Sequence, residues 1–224
     1  MSCQLQVQQI LDKSLELEGL TFLQLARSLA LDIPQDLRAA KGWIGQAVEI
    51  FLGAKAGCLP VPDFPELQLE LKTIPINKFG QATESTYVTT LQLIGELNMQ
   101  WKQSACFHKL QKILWIPIEG DKSIPYHQRR FGRAILWQPN QEQQAVLKND
   151  WEIITEMVIQ GAVEKIHGGI GKYLHIRPKA ANSQAITTTL NEHGEVIYTL
   201  PRGYYLRSQL TNQILAIDNK LSRC

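Results

Sequence analysis

The stretch that decides the fold is DFPELQLELK, residues 63–72. From Leu67 to Leu71, leucines alternate with polar residues, which is the period-two pattern of a β-strand with one buried face. Residues two apart in a strand point to the same side, so Glu70 and Lys72 project together while the leucines face the core. The pattern therefore predicts a strand that carries a carboxylate beside an ammonium group.

Another carboxylate, Asp63, lies shortly before this strand. If the chain from Asp63 to Glu70 were extended, the two residues would lie up to roughly 23 Å apart, at about 3.3 Å per residue. Both carboxylates can reach one metal ion only if the chain bends between them. Pro62 and Pro65 favour such a bend, and we predict that it forms.

Two carboxylates and a lysine are the residue types that phosphodiester hydrolysis requires. Mg²⁺ prefers oxygen ligands, usually one or two carboxylates together with water and substrate phosphate. The bound ion lowers the pKa of its water and stabilises the charge that develops on the phosphate. A neighbouring lysine can hold the water or neutralise the phosphate. The alternative for so short a motif is a solvated ion pair on an open sheet face.

A third carboxylate, Glu49, lies in a helix predicted over residues 41–56, KGWIGQAVEIFLGAKA, which Gly57 and nearby prolines end. Three glycines share one face of this helix with Glu49 at spacings of three and four. They are Gly42, Gly45 and Gly53. Because an interior glycine costs a helix about 1 kcal/mol relative to alanine, they indicate close packing by a strand or a nucleic-acid backbone. Glu49 then either pairs with a basic residue or serves as a ligand.

Two segments in the C-terminal third interleave basic and aromatic residues, namely HIRPK at 175–179 and RGYYLR at 202–207. Arginine and lysine can pair with guanine edges or phosphates, and tyrosine can contact a base edge or methyl group. Lys41 opens the predicted helix, where a phosphate contact is one explanation and a solvated lysine another. The two C-terminal segments together favour DNA binding over strands with a basic outer face.

Elsewhere, helical and strand patterns mix without strict alternation, so the fold class is α/β (α+β mixed). Further helices are predicted over 4–18, 21–31, 140–166 and 182–191. Further strands are predicted over 85–93, 112–118, 173–177, 196–199 and 203–207. Residues 1–224 are interpreted as a single domain.

Composition excludes several classes of protein. The net charge is only +2, so a DNA-binding surface must come from local arrangement of charge. No run of about 18 apolar residues occurs, and the N-terminus lacks the pattern of a secretory signal. The four scattered cysteines fit neither a zinc site nor a disulfide framework, which predicts a reduced, cytoplasmic protein. The five histidines show no metal spacing and are interpreted as structural or surface residues.

Several long stretches in order resemble the MutH family, the strand-nicking endonucleases of methyl-directed mismatch repair. They run from about Lys41 to Leu206 and are KGWIGQAVEIFLGAKAG, DFPELQLELKTIP, HKLQKILWIPIEG, SIPYHQRR, IRPKAAN and LPRGYYL. The resemblance implies a restriction-endonuclease-like core, with a central mixed sheet flanked by helices and two arms around a DNA cleft. It also implies Mg²⁺-dependent nicking, with Mn²⁺ or Ca²⁺ as substitute ions, of the unmethylated strand 5′ to GATC in hemimethylated DNA. MutL would activate a monomeric enzyme, with MutS acting indirectly.

The resemblance also assigns roles to individual residues. Asp63 and Glu70 would be metal ligands, Lys72 the catalytic lysine and Glu49 the helix carboxylate that completes the site. Tyr205 would sense adenine methylation. The remaining candidate DNA contacts are Lys41, Tyr87, Arg177, Pro178, Lys179 and Arg207.

Two other functions remain open. A GATC-specific restriction endonuclease would share the active site but cut both strands without MutL; a single copy of the motif favours nicking. A non-catalytic DNA-binding protein is the other alternative, because residues 21–40 loosely resemble a helix-turn-helix. A pure binder, however, does not need Asp63, Glu70 and Lys72.

Overall fold

The computed structural model describes residues 3–35, 42–55, 57, 61–95, 100–179 and 185–221, and within these ranges it contains six α-helices and eight β-strands. The helices are α1 (Cys3–Leu15), α2 (Phe22–Ser28), α3 (Trp43–Leu52), α4 (Ala105–Leu110), α5 (Gln141–Ile159) and α6 (Ser208–Leu221). The strands are β1 (Glu70–Ile76), β2 (Thr86–Thr90), β3 (Ile113–Glu119), β4 (Ile135–Trp137), β5 (Leu174–Pro178), β6 (Thr187–Leu190), β7 (Val196–Thr199) and β8 (Arg202–Leu206). Single 3-10 turns lie between several of these elements.

The chain divides into two compact units. Unit 1 comprises residues 1–84, 111–138 and 212–224, and unit 2 comprises residues 85–110 and 139–211. The expectation of one domain with two arms around a cleft stays a prediction. Among the described residues, no helix combines the length and the apolar character that crossing a membrane requires.

Unit 1 contains a mixed sheet in the order β1-β3-β4. Strand β1 runs parallel to β3, with Glu70 opposite Ile113, and β4 is antiparallel to β3. A core of buried residues from α2, α3, β1 and β3 supports the sheet, including Leu25, Val48, Leu71 and Ile116. The predicted mixed α/β class, with a mixed sheet flanked by helices, is confirmed.

Unit 2 contains an antiparallel sheet in the order β2-β8-β5 and a separate hairpin of β6 and β7. The long helix α5 begins at Asn140, whose side chain forms a capping box with Gln143. Such caps satisfy backbone N–H groups that have no partner within the helix. Buried residues Trp151, Ile154 and Val158 line one face of α5.

Several predicted elements are wrong in extent or type. Strand β1 begins only at Glu70, because residues 65–67 form a 3-10 turn. Within the predicted helix 182–191, residues 187–190 form β6, where three consecutive threonines suit a strand because they are β-branched. Residues 180–184 lie outside the described ranges. The sequence analysis did not predict α4, β4 or α6.

The helix-turn-helix alternative gains nothing from the structure. Helix α2 spans only Phe22–Ser28, and residues 29–35 contain no helix. Residues 36–41 lie outside the described ranges. The described part of this region therefore supplies one short helix and no recognition helix after it.

Candidate active site and nucleic-acid interface

A tight turn brings the chain back from Asp63 to β1. Phe64 and Leu69 form an antiparallel bridge with N···O distances of 2.9 and 3.2 Å. A 3-10 turn fills the space between them, and Gln68 closes it in the left-handed region at φ 49°. The bend predicted from the prolines is therefore present, and we call residues 64–69 the return turn.

The return turn places the carboxylate of Asp63 against the backbone of β1. Its Oδ2 accepts a hydrogen bond from the N–H of Leu71 at 2.7 Å, and the side chain is buried. Leu71 lies between Glu70 and Lys72, so this bond anchors the Asp63 carboxylate to the segment of β1 that carries both of them.

Glu70 and Lys72 form an ion pair through Oε1 and Nζ. The side chain of Glu70 is only 1% exposed and that of Lys72 is 19% exposed. Burial of a carboxylate is costly unless it is paired, so this is not the solvated pair of an open sheet face. The predicted side-by-side arrangement is present, but Glu70 faces a buried environment.

The backbone around Glu70 is anchored from β3. The N–H of Glu70 donates to the carbonyl of Lys112 at 3.0 Å. The ammonium group of Lys112 donates in turn to the carbonyl of Leu67 in the return turn at 3.2 Å. Lys112 therefore ties the return turn to the sheet, a role that the sequence pattern did not reveal.

Glu49 is half-buried on α3, and two of the three glycines that share its predicted face lie at the helix ends rather than in its interior. Gly42 and Gly53 have positive φ and cap the two ends of the helix, which stops at Leu52. Only Gly45 is interior, and no described heavy atom lies within 4 Å of a Cβ built at any of the three. Gly42 and Gly53 therefore bound the helix, because glycine adopts the left-handed conformation without strain. No described protein segment packs closely against the three glycines, and close approach of a nucleic-acid backbone stays a prediction.

The donor set was compared with the needs of a divalent ion. Within the described ranges, no three His, Cys, Asp or Glu side chains come together as a metal-holding group. The predicted role of Glu49 as a third ligand beside Asp63 and Glu70 therefore stays a prediction. Mg²⁺ needs only one or two carboxylates, with water and phosphate completing its shell. The oxygen donors of Asp63 and Glu70 fit that ion.

In unit 2, an aromatic row crosses the antiparallel sheet of β2, β8 and β5, which we call the tyrosine sheet. Tyr205 on β8 lies opposite Tyr87 on β2 and opposite His175 on β5. The ring centroids of Tyr205 and Tyr87 are 5.4 Å apart, and those of Tyr205 and His175 are 6.4 Å apart. The structure thus brings together two tyrosines that are far apart in the sequence.

Two predicted DNA contacts lie over these tyrosine rings. The Nζ of Lys179 is 3.3 Å from the ring centroid of Tyr87, and the Cζ of Arg177 is 5.8 Å from that of Tyr205. Residues 177–179, which include Pro178, are exposed. Cation–π contacts of this kind hold long basic side chains in place. The tyrosine sheet therefore presents an ordered basic and aromatic surface.

His175 belongs to this surface, although the sequence analysis gave it no role. It is buried, and its Nε2 lies 3.2 Å from the hydroxyl of Ser85. Burial, together with the positive charges of Arg207 and Arg177, lowers its pKa from 6.5 to about 4. A neutral imidazole therefore lies beside Tyr205 near neutral pH. The available signal was its position two residues before Arg177 on one strand.

Two predicted contacts are not placed at this surface. Arg207 donates hydrogen bonds to the backbone carbonyls of Gly168, Ile170 and Gly171, so its guanidinium group is engaged within the protein. The structure shows backbone support as a role of Arg207, and its predicted contact with DNA stays a prediction. Lys41 lies outside the described residues.

Comparison with known proteins identifies the family. Residues 52–150, which include Asp63, Glu70 and Lys72, match the family described as DNA mismatch repair enzyme MutH. The DNA mismatch repair protein MutH of Serratia proteamaculans (strain 568) is 45% identical over 209 residues, which cover 93% of this chain and 92% of that protein. The chain belongs to the MutH family. MutH proteins of Escherichia coli O9:H4 (strain HS) and Escherichia coli (strain K12) are 46% identical over 209 residues, covering 93% of this chain and 91% of each protein.

Membership in the MutH family confirms two of the predictions. The resemblance of the chain to this family is confirmed, and so is the prediction of a DNA endonuclease that belongs to mismatch repair.

Proposed function

We propose that this MutH-family endonuclease depends on Mg²⁺ and nicks the unmethylated strand 5′ to GATC in hemimethylated DNA. The observation that carries the proposal is that the Asp63 carboxylate is hydrogen-bonded to β1 at Leu71, between the paired side chains of Glu70 and Lys72. These groups supply the oxygen ligands and the fixed positive charge that phosphodiester hydrolysis needs. They also distinguish the chain from a protein that only binds DNA.

Each group at the site has a proposed role. When bound, Mg²⁺ lowers the pKa of its water and stabilises charge on the phosphate. Asp63 and Glu70 hold this ion, and Glu49 is proposed to add an oxygen ligand on the helix side. Lys72 would exchange its pairing with Glu70 for a contact to the attacking water, which its Nζ orients as an ammonium group, or deprotonates after it has itself lost a proton.

The tyrosine sheet is proposed to recognise the sequence and its methylation. Arg177 and Lys179 contact bases and phosphates, with Pro178 shaping the backbone between them, and Tyr87 lies under Lys179. Adenine N6 is a donor in the major groove, so a methyl group there adds bulk where Tyr205 would lie. If the protein rejects this methyl group on the strand that it cuts and tolerates one on the other strand, it selects hemimethylated sites.

The proposed partners follow from the family. MutL activates the enzyme, and MutS acts through MutL after finding a mismatch. One copy of the active-site motif supports a monomer that cuts one strand. Mn²⁺ is proposed as a substitute ion that supports nicking, and Ca²⁺ as a substitute that occupies the same oxygen donors.

The test is a nicking assay on a plasmid with one hemimethylated GATC, run with Mg²⁺ and with or without MutL and ATP. A nick on the unmethylated strand that MutL enhances is the expected result. The matched control is Glu70→Ala, which removes one ligand. Cutting of both strands without MutL would indicate a restriction endonuclease, and binding without cutting under any condition would indicate a DNA-binding protein.

A further inference from the structure

A buried carboxylate outside the active site holds the loop that leads into the tyrosine sheet. Asp150 on α5 is 2% exposed. Its two oxygens accept hydrogen bonds from the backbone N–H of Lys172 at 2.9 and 3.0 Å, of Tyr173 at 2.7 Å and of Leu174 at 2.9 Å. Three successive N–H groups thus surround one carboxylate. Charge-assisted bonds of this kind offset the cost of burying it.

Arg207 holds the same loop through hydrogen bonds to the backbone carbonyl groups of the loop. Its Nε donates to Gly171 at 2.9 Å, and its Nη2 donates to Gly168 and to Ile170. The backbone N–H of Arg207 also donates to the carbonyl of Tyr173 at 2.9 Å. We call residues 168–173 the clamped loop, because Asp150 and Arg207 bind its donors and its acceptors respectively.

The path of the clamped loop leaves little room for adjustment. Gly171 has φ 82°, and a Cβ at this position would lie 1.9 Å from the carbonyl oxygen of Leu174 and 3.3 Å from Cγ of Asp150. No other residue type fits there without moving the backbone. Glycine at this position therefore lets the loop take the compact path that Asp150 and Arg207 hold.

The clamped loop adjoins the paired positions of β5 and β8 that carry the proposed recognition residues. The N–H of Leu174 donates to Asp150, and Leu174 lies opposite Leu206 in the sheet. The next pair of opposite residues is His175 and Tyr205. Arg207 directly follows Leu206 at the end of β8. The start of β5 and the end of β8, which lie opposite each other, are thus held in place.

We infer that Asp150 and Arg207 are positioning residues, which set the pairing of β5 with β8 so that Arg177 and Tyr205 face DNA together. This inference rests on the proposed recognition role of the tyrosine sheet. Neither residue contacts DNA in this account. Asp150 acts through Leu174 and Arg207 acts through the carbonyl groups of the clamped loop.

The first experiment compares Asp150→Asn with Asp121→Asn in the purified full chain. Asparagine keeps the size of the side chain, but its amide nitrogen cannot accept a hydrogen bond from an N–H group. Asp121 is the matched control, since it also accepts a backbone N–H, from Ser123 at 2.8 Å, but on the exposed surface of unit 1. The measurements are amide hydrogen exchange over residues 168–178 and the ratio of nicking rates at GATC and at a site with one changed base.

Asp150→Asn is expected to speed exchange in the clamped loop and at the start of β5, and to lower the nicking ratio roughly tenfold. Asp121→Asn is expected to change neither the rate of hydrogen exchange over these residues nor the nicking ratio. Faster exchange with an unchanged nicking ratio would overturn the inference. Unchanged exchange in a folded Asp150→Asn variant would overturn it as well.

The second experiment uses Arg207→Lys, which also serves if Asp150→Asn does not fold. A lysine keeps the charge and could still contact a phosphate, but it cannot donate hydrogen bonds to three carbonyl groups as the planar guanidinium group does. A nicking ratio lowered roughly tenfold, with the salt dependence of DNA binding unchanged, supports positioning. A nicking ratio equal to that of the parent protein would assign Arg207 to phosphate contact and overturn the inference.

Lys179→Ala separates this inference from the proposed function, because that change leaves the clamp intact. If Lys179→Ala lowers the nicking ratio and Asp150→Asn does not, only the positioning role fails. If Lys179→Ala leaves the ratio unchanged, the recognition role of the tyrosine sheet fails, and the positioning inference built on it is overturned.

Discussion

The carboxylate of Asp63 accepts a hydrogen bond from the backbone N–H of Leu71 at 2.7 Å, across eight positions of the sequence. One side chain thus closes the return turn and, in the proposed function, also offers oxygen to a metal ion. These two roles can be separated by substitution, because they depend on different properties of the carboxylate. The hydrogen bond needs an acceptor of the right length, whereas metal binding needs the negative charge.

Asp63→Asn is expected to abolish nicking while lowering the free energy of unfolding by less than about 1 kcal/mol, because the amide oxygen still accepts from Leu71. Asp63→Ala is expected to abolish nicking and to cost about 1–3 kcal/mol, because it leaves a buried N–H without a partner. Nicking assays and urea unfolding measure the two effects. Activity near that of the parent in Asp63→Asn would remove Asp63 as a metal ligand.

The buried pair of Glu70 and Lys72 gives a second prediction, for which no DNA is needed. Lys72→Met leaves the Glu70 carboxylate without its ammonium partner, so the free energy of unfolding is expected to fall by roughly 2–3 kcal/mol. The double variant Glu70→Gln with Lys72→Met is expected to recover much of that loss. Nicking is expected to be lost in both.

Ca²⁺ is expected to raise the Tm of Lys72→Met, because the ion replaces the missing positive charge beside Glu70 and Asp63. The double variant is the control and should respond less. An equal response of the two variants to Ca²⁺ would contradict the assignment of Glu70 as a ligand.

The local arrangement of the candidate site could be predicted from the sequence, because Asp63, Glu70 and Lys72 lie on one strand and the turn before it. Alternation in β1 placed Glu70 beside Lys72, and the prolines indicated the bend at Asp63. Burial of Glu70 was not predictable, since it depends on how the return turn and β3 cover the start of β1. Glycine spacing around Glu49 misled, because a helix-capping glycine and an interior glycine look alike in a sequence.

Long-range contacts account for most of what the sequence did not reveal. The opposition of Tyr87, Tyr205 and His175 depends on the order β2-β8-β5, which joins strands far apart in the chain. The same holds for Arg207, whose basic and aromatic neighbours suggested DNA contact while its partners lie 36 to 39 positions away. Local patterns carry no information about such partners.

Lys179→Ala is expected to reduce the preference for GATC over sites with one changed base roughly tenfold, and to weaken binding as a salt-sensitive contact is lost. The matched control is Lys148→Ala, because Lys148 is an exposed lysine of the same unit that pairs with Glu152. Nicking rates on a panel of substrates measure the preference. A preference equal to that of the parent would exclude Lys179 from sequence recognition.

Tyr205→Ala is expected to blunt discrimination between methylated and unmethylated adenine, because removal of the ring leaves space for the methyl group. Tyr205→Phe tests the hydroxyl alone and is also expected to blunt it. Tyr204→Phe is the matched control: Tyr204 is the adjacent tyrosine, buried, with its hydroxyl 3.2 Å from that of Thr155. Nicking rates on unmethylated, hemimethylated and fully methylated GATC give the discrimination. Values equal to those of the parent would remove Tyr205 as the sensor.

The neutral His175 predicts how stability depends on pH. Its pKa is about 4 in the folded protein and 6.5 ordinarily, so the unfolded chain binds more protons between these values. The free energy of unfolding is therefore expected to be unaffected by His175 above about pH 6.5 and to fall as the pH drops towards 4, by about 1–3 kcal/mol. His175→Asn is expected to lose this part of the pH dependence, whereas His193→Asn, at an exposed position, should keep it. Urea unfolding from pH 4 to 7.5 measures the difference, and identical profiles for the parent and His175→Asn would show that His175 is not held neutral by the fold.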